Sequence, residues 1–136
     1  MNGAYVLVAY LRKNSKIRIG KLGAIDFLKG YYCYVGSALG KSINLENRIK
    51  RHERLVKDKT GKVRWHIDYF LINPKVLLKG IIIFSGKVEC KISQILEKNA
   101  KKTILGFGSS DCKYGCKGHF HHFKNMKEFL HVVKKI

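Results

Sequence analysis

The chain has 136 residues, 46% of them hydrophobic, which is enough apolar side chain for the core of one domain, 1–136, and excludes an intrinsically disordered protein. Lysine and arginine number 28 against 9 acidic residues, so the formal net charge is +19. This imbalance predicts a polyanionic partner, nucleic acid. The lysine-rich composition of thermophile proteins is the alternative, but there glutamate rises together with lysine, which is not the case here.

The sequence also indicates where the protein works. The N-terminus has no charged start followed by an apolar run and a cleavage site, which argues against secretion. The longest apolar stretch, 76–84, is interrupted by Lys79 and Gly80 and is too short to cross a bilayer, and no helix predicts binding to a membrane surface. We therefore expect a cytoplasmic protein whose cysteines are thiols or metal ligands rather than disulfides.

Apolar patterning predicts strands and helices that alternate along the chain. Strands are predicted at 4–11, 16–19, 31–35 and 76–84, and helices from near Ser42 to about 56 and at 65–72, 88–98 and 126–136. The expected fold class is α/β, of the α+β type: a small, mainly antiparallel sheet of three to four strands flanked by helices.

The first long helix carries two residues that do not fit a solvated face. Arg48 and His52 are four positions apart and fall on or beside the apolar stripe, so they lean toward the strand that carries Tyr34. One interpretation is that they extend past the core to solvent or bind a carboxylate. The other is a phosphate site at which Tyr34, Gly36, Arg48 and His52 converge, with arginine as a planar, charged donor.

The C-terminal third combines cysteine, histidine and lysine. Cys112, Cys116 and His119 have a spacing that suits a tetrahedral zinc ion, with Cys90 as a candidate fourth ligand. A glycine-rich loop that buries two small thiols explains the same pattern. A third interpretation is a set of basic side chains that bind backbone phosphates: Lys113, Lys117, His119, His121, His122 and Lys124.

Several of these segments resemble a known family. Tyr-Val-Gly at 34–36, followed by Arg48 and His52, resembles the second half of the GIY-YIG nuclease signature, and Gly-Ala-Tyr at 3–5 resembles the first half. The longer series adds Trp-His-Ile-Asp-Tyr at 65–69 and Gly-Ser-Ser-Asp-Cys at 108–112. It is similar to the mainly prokaryotic Uri-type endonuclease-like proteins, a GIY-YIG-like family of unknown function whose domain is sometimes fused to an endonuclease III glycosylase.

The resemblance implies a site and a reaction. Tyr5, with Tyr34 beside it, would assist deprotonation of an attacking water, and Arg48 would stabilise charge on the phosphate. His52 would assist Arg48 or position the water. A magnesium or manganese ion held by Glu89 would act on the leaving oxygen.

Further residues complete the hypothesis. The candidates for substrate binding are Gly36, Ser37, Arg51, Lys113 and Lys117, and the substitutes for Glu89 are Asp68 and Glu97. His66 and Asp68 are either hydrogen-bonded structural partners or members of the site.

We expect hydrolysis of nucleic-acid phosphodiesters, with DNA favoured over RNA as the partner and a DNA-repair protein as a second candidate partner. The alternatives are a noncatalytic DNA- or RNA-binding module with the same basic cleft, and a zinc-stabilised adaptor.

Overall fold

The structure is a computed structural model, and it describes residues 3–38, 45–109 and 112–136. Within these residues the strands are β1 (Gly3–Leu11), β2 (Ser15–Arg18), β3 (Ala24–Phe27), β4 (Gly30–Ala38), β5 (Val76–Ser85), β6 (Lys102–Thr103) and β7 (Phe120–Phe123). The helices are α1 (Leu45–Asp58), α2 (His66–Leu71), α3 (Glu89–Asn99) and α4 (Met126–Val133). The predicted start of the first helix near Ser42 lies outside the described residues. None of the described helices is long and apolar enough to span a bilayer.

Strand β1 lies between β5 and β4 in a five-stranded antiparallel sheet with the order β5-β1-β4-β7-β6. Its apolar run is buried on both faces because α1 and α2 cover one face and α3 and α4 cover the other. In the register of β1 with β4, Tyr5 lies opposite Gly36 and Leu7 lies opposite Tyr34. Alternation along each strand therefore places Tyr5 and Tyr34 on the same face, beneath α1.

The predicted class, a small antiparallel sheet flanked by helices, is confirmed. The sheet has five strands rather than three or four because the short strands β6 and β7 extend it beside β4. Strand β3 was also not predicted: it pairs with β2 in a separate hairpin, and its Phe27 packs in the core beneath α2. Strands of two to four residues carry little periodicity, and of the four described strands of this length only β2 was predicted, at 16–19.

Candidate functional site

A cavity of about 380 Å³ opens where the end of β4 meets α1 and the first turns of α2 and α3. Tyr34 and Ser37 line it from β4, and Arg48 lines it from α1. Glu89 lines it from the first turn of α3, and Lys113 from the loop that precedes β7. These five predicted site residues share the cavity with three of the candidate zinc ligands, Cys90, Cys112 and His119.

Tyr5 and His52 form a buried pair behind this cavity. The hydroxyl oxygen of Tyr5 lies 2.6 Å from Nε2 of His52, and neither residue lines the cavity. Their ring centroids lie 6.2 Å and 6.1 Å from that of Tyr34. Burial raises the pKa of Tyr5 well above its ordinary value and lowers that of His52 to about 4, so both are neutral at pH 7. Of these three residues only Tyr34 borders the cavity, and Tyr5 and His52 support its ring from behind.

Gly36 was predicted to bind substrate, but its place in the sheet indicates a packing role. It does not line the cavity, and a Cβ at this position would lie 2.6 Å from the Tyr5 ring and hydroxyl and 2.9 Å from Cε2 of Tyr34. A side chain here would displace both phenols. Glycine at 36 is therefore what allows the two tyrosines to pack across the strands.

Arg48 is held on one side and unpaired on the other. Its guanidinium donates a hydrogen bond to the backbone carbonyl of Ser37 and lies 4.3 Å from the ring centroid of Trp65. Its Nε is buried and has no hydrogen-bond partner among the described residues. Because Arg48 lines the cavity, its charged guanidinium is available to an anion there.

Arg51 was predicted to bind substrate, and the structure gives its guanidinium a different partner. It forms a bidentate ion pair with Asp68, with both N–O distances 2.7 Å, and also donates to the carbonyl of Lys62 at 2.8 Å. Asp68 is 0% exposed and accepts further hydrogen bonds from the amides of Arg64 and Trp65. Burial by itself would raise the pKa of Asp68, but these donors hold it below its ordinary value. The pair joins α1 to α2, so Asp68 is a structural carboxylate and not a substitute for Glu89.

Glu89 is the acidic group of the cavity. Its side chain is 26% exposed, and its Oε2 lies 2.6 Å from Nδ1 of His119. Burial would raise the pKa of Glu89, but His119, Ser37 and Arg48 lower it below the ordinary value, so the carboxylate is ionised at pH 7. Glu89 also borders a second cavity of about 490 Å³.

Next to Glu89, the predicted cysteine ligands form a cluster that can hold a metal ion. The ligand atoms of Cys90, Cys112, Cys116 and His119 all lie within 4.8 Å of one another, and the sulfurs of Cys90 and Cys112 are 3.4 Å apart. Neighbouring ligand atoms around a tetrahedral zinc ion are about 3.7 Å apart. Burial raises the pKa of the Cys112 thiol, but the amides of Tyr114 and Cys116 and the neighbouring thiols outweigh it and lower the value to about 6. The cluster is thus more than a loop that buries thiols, since half-buried sulfurs converge on one point.

Lys113 and Lys117, both predicted to bind substrate, are placed differently. Lys113 lines the cavity and Lys117 does not. The backbone amide of Lys117 donates a hydrogen bond to Oε1 of Glu97 at 3.3 Å. Glu97 therefore fixes the loop before β7 and lies outside the cavity lining, which removes it as a substitute metal ligand.

The prediction that His121 and His122 bind backbone phosphates is wrong. His121 is buried, with its two ring nitrogens 2.8 Å from the Ser93 hydroxyl and 2.7 Å from the Thr103 hydroxyl. Burial lowers its pKa to about 3, so the ring is neutral. His122 is also buried and stacks on Tyr32 with 4.5 Å between ring centroids. Both histidines lie in β7, where they are part of the interior.

Two residues that line the cavity carry only weak signals in the sequence. His66 lines the cavity, and its Nδ1 accepts a hydrogen bond of 2.8 Å from the amide of Gly108, which leaves the ring proton on Nε2. Tyr114 is 75% exposed and borders both cavities, and an aromatic residue inside a lysine- and glycine-rich loop is the signal that points to it. Ser110 and Asp111, which belong to the motif at 108–112, lie outside the described residues.

The model of the family described as "Domain of unknown function DUF123" matches residues 4–136. The chain belongs to this family. The match spans both the β4–α1 side of the cavity and the cysteine cluster, so the whole site lies within the DUF123 region. Comparisons with curated proteins and with solved structures give no match. DUF123 carries no assigned function, and the chemistry has to be inferred from the geometry.

Proposed function

We propose that this DUF123 protein is a metal-dependent endonuclease that hydrolyses phosphodiester bonds in nucleic acid, with DNA favoured over RNA. The observation that carries the proposal is that Tyr34, Arg48 and Glu89 line one cavity. The net charge of +19 supplies attraction to a polyanion. GIY-YIG nucleases, and the Uri-type proteins that this chain resembles in particular, combine the same residue types: a tyrosine, an arginine and a carboxylate.

Arg48 is the residue that binds the phosphate in this proposal. Its contacts with Ser37 and Trp65 fix the plane of the guanidinium before substrate arrives, and its Nε–H has no partner among the described residues. Because negative charge grows on the phosphate oxygens as water attacks, this fixed donor stabilises the transition state more than the ground state. The neutral His66, with its proton on Nε2, is a second donor for the same oxygens.

Tyr34 orients the attacking water. Burial raises the pKa of Tyr34 above its ordinary value although Arg48 opposes the shift, so the group acts as a neutral phenol at pH 7. The phenol accepts a hydrogen bond from the water and directs a lone pair toward phosphorus. As the bond from the water oxygen to phosphorus forms, the bond from phosphorus to the leaving oxygen breaks. The water gives up a proton to solvent, and the leaving oxygen takes up a proton from solvent to become the alcohol. Tyr5 and His52 act through Tyr34, since neither borders the cavity.

Glu89 fits a single magnesium or manganese ion. It is the only carboxylate among the described lining residues, and Mg²⁺ is commonly held by one or two carboxylates together with substrate phosphate and water. Such an ion would neutralise charge on the leaving oxygen. The part that the protein plays is to hold an ionised carboxylate, through His119 and Ser37, beside the guanidinium that binds the phosphate.

We further propose that the cysteine cluster holds a structural zinc ion. Three thiols and one imidazole within 4.8 Å form a donor set that suits zinc and does not suit magnesium. We place the protein in the cytoplasm, where reducing conditions keep thiols available as ligands, with a DNA-repair protein as a candidate partner.

The test is Mg²⁺-dependent nicking of plasmid DNA by wild type and by Arg48→Ala. We expect the substitution to reduce the nicking rate by about 100-fold or more while DNA binding and folding persist, because one preorganised donor is lost. Arg54→Ala, an exposed arginine on the same helix, is the matched control and should nick at the wild-type rate. Unchanged nicking by Arg48→Ala would refute the assignment.

The second candidate is a noncatalytic DNA- or RNA-binding module. It is favoured by the 2.6 Å contact of Glu89 with His119, which occupies one oxygen of the only carboxylate among the described lining residues. Calorimetry separates the two: a module without catalysis binds DNA but takes up no Mg²⁺ with or without DNA, and cleaves neither branched, abasic nor single-stranded substrates.

A further inference from the structure

His119 lies between the metal-binding cluster and the carboxylate of the cavity. Its side chain is 2% exposed, and its Nδ1 is 2.6 Å from Oε2 of Glu89. Both ring nitrogens are buried, and neither makes a hydrogen bond of good geometry in the described part of the chain. Nδ1 has the Glu89 oxygen beside it, whereas no hydrogen bond or ion pair engages Nε2 there. One ring nitrogen thus faces the carboxylate and leaves the other for the ion that the thiols of Cys90, Cys112 and Cys116 would share.

We propose that zinc in the cysteine cluster positions Glu89 through His119, with Nε2 bound to the metal and Nδ1–H donating to Oε2. Metal binding at Nε2 requires that the ring proton sit on Nδ1, which is the nitrogen beside Glu89. The bound metal therefore fixes both the tautomer and the direction of the imidazole. Without metal the ring can carry its proton on either nitrogen, and the carboxylate loses a fixed donor.

The backbone provides a second connection between the cysteine cluster and the Glu89 carboxylate. Glu89 and Cys90 are adjacent residues at the start of α3, so a metal bound to Cys90 also fixes the backbone next to the carboxylate. On the other side, Cys112 and Cys116 bring the loop that carries Lys113 to the cavity. Zinc would thus determine the position of the acidic wall of the cavity without touching the substrate.

This inference rests on the proposed zinc and the proposed role of Glu89, but its test needs no nuclease activity. Carboxylates that accept a hydrogen bond from a metal-bound histidine typically contribute 10- to 100-fold to metal affinity. Glu89→Gln should therefore weaken zinc binding by about tenfold or more in competition with a chromophoric chelator. Glu53→Gln, an exposed glutamate on α1, should bind zinc with wild-type affinity.

A spectroscopic measurement on the wild-type protein gives the second readout. Cobalt substituted for zinc should show the absorption of a tetrahedral site with thiolate ligands. Long-range ¹H–¹⁵N spectra of the zinc form should place the His119 proton on Nδ1.

Equal zinc affinity in wild type and Glu89→Gln would overturn the link between the two groups, and so would a proton on Nε2 of His119. Protein purified without chelators that contains no metal, or that contains a Cys90–Cys112 disulfide in its place, would overturn it as well. If zinc binding responds to Glu89→Gln but no substrate is cleaved, the link stands and the nuclease proposal fails.

Discussion

The two walls of the cavity are built by different means. The arginine wall consists of Arg48 and Tyr34 together with the residues that support them, Tyr5, His52, Trp65, Arg51 and Asp68. The cysteine wall consists of Glu89, Cys90, Cys112, Cys116 and His119. In the arginine wall, hydrogen bonds between supporting residues join one element to another, as in the Tyr5–His52 pair and the Arg51–Asp68 pair. In the cysteine wall the side chains converge on a point between them, and a nitrogen and three sulfurs face that point.

The fold preorganises the arginine wall, and we propose that a metal ion preorganises the cysteine wall. Removal of a supporting side chain should therefore cost most in the arginine wall. Removal of metal should affect the cysteine wall and leave its neighbour intact.

Asp68→Ala should have the largest effect on stability. It leaves the half-buried Arg51 without a carboxylate and frees the amides of Arg64 and Trp65. Loss of one partner of a buried ion pair costs about 3–5 kcal/mol. Urea denaturation followed by circular dichroism measures the loss. Asp26→Ala is the control, since its ion pair with Lys16 is exposed and should leave the unfolding free energy nearly unchanged. If the two substitutions cost the same, the arginine wall is not held by Asp68.

Acidification should give the next largest effect. Burial, assisted by Arg51 and Arg48, lowers the pKa of His52 from 6.5 to about 4, so the folded protein does not take up the proton that the unfolded chain binds. The contribution of His52 to the free energy of unfolding is constant above pH 6.5 and falls by about 1.4 kcal/mol per pH unit as the pH drops from 6.5 toward 4.

Denaturation of wild type and His52→Gln at several pH values isolates the contribution of His52. The lowered pKa of His121 affects the free energy of unfolding equally in both proteins. The variant should show the shallower slope. Parallel curves would mean that His52 is protonated in the folded state.

Tyr5→Phe should have a smaller effect. The substitution keeps the ring that packs beside Tyr34 but removes the hydroxyl 2.6 Å from Nε2 of His52. A buried imidazole nitrogen left without a partner costs about 1–3 kcal/mol. If Tyr5 acts only by supporting Tyr34, the variant should also retain most of the nicking activity, and complete loss would instead assign Tyr5 a direct part in the reaction.

Metal removal should have the most local effect. After chelation under reducing conditions, the half-buried Cys90, Cys112 and Cys116 should react with a thiol reagent while the buried Cys33 stays protected. Amide exchange in α1 and β4 should not change. Faster amide exchange throughout both walls would contradict the claim that only the cysteine wall depends on the metal ion.

The sequence was more informative about the arginine wall than about its support. Long apolar strands and a helix of four turns have enough periodicity to place Tyr34 and Arg48 together from the pattern alone. The partners of Arg51 could not be predicted in this way, because Asp68 is 17 residues further along the chain and on another helix. The same limit applies to β7, since four residues that include two histidines resemble a basic surface until the pairing with β4 buries them.

For the cysteine wall the sequence provided the ligands but not their neighbours. The spacing of Cys112, Cys116 and His119 predicts a metal site with Cys90 as a candidate fourth ligand, and the structure brings these four residues together. That Glu89 lies against His119 depends on how α3 packs beside the loop before β7, a contact between segments 30 residues apart that no local pattern records.

The most direct test of the central claim, that both walls face one phosphate and one divalent cation, is paramagnetic broadening by Mn²⁺ in NMR spectra of the protein bound to uncleavable phosphorothioate DNA. We predict that signals from Tyr34, Ser37, Arg48 and Glu89 broaden first, and that Glu89→Gln abolishes the broadening. Broadening that survives this substitution, or that centres on the exposed acidic residues of α1 instead, would contradict the account.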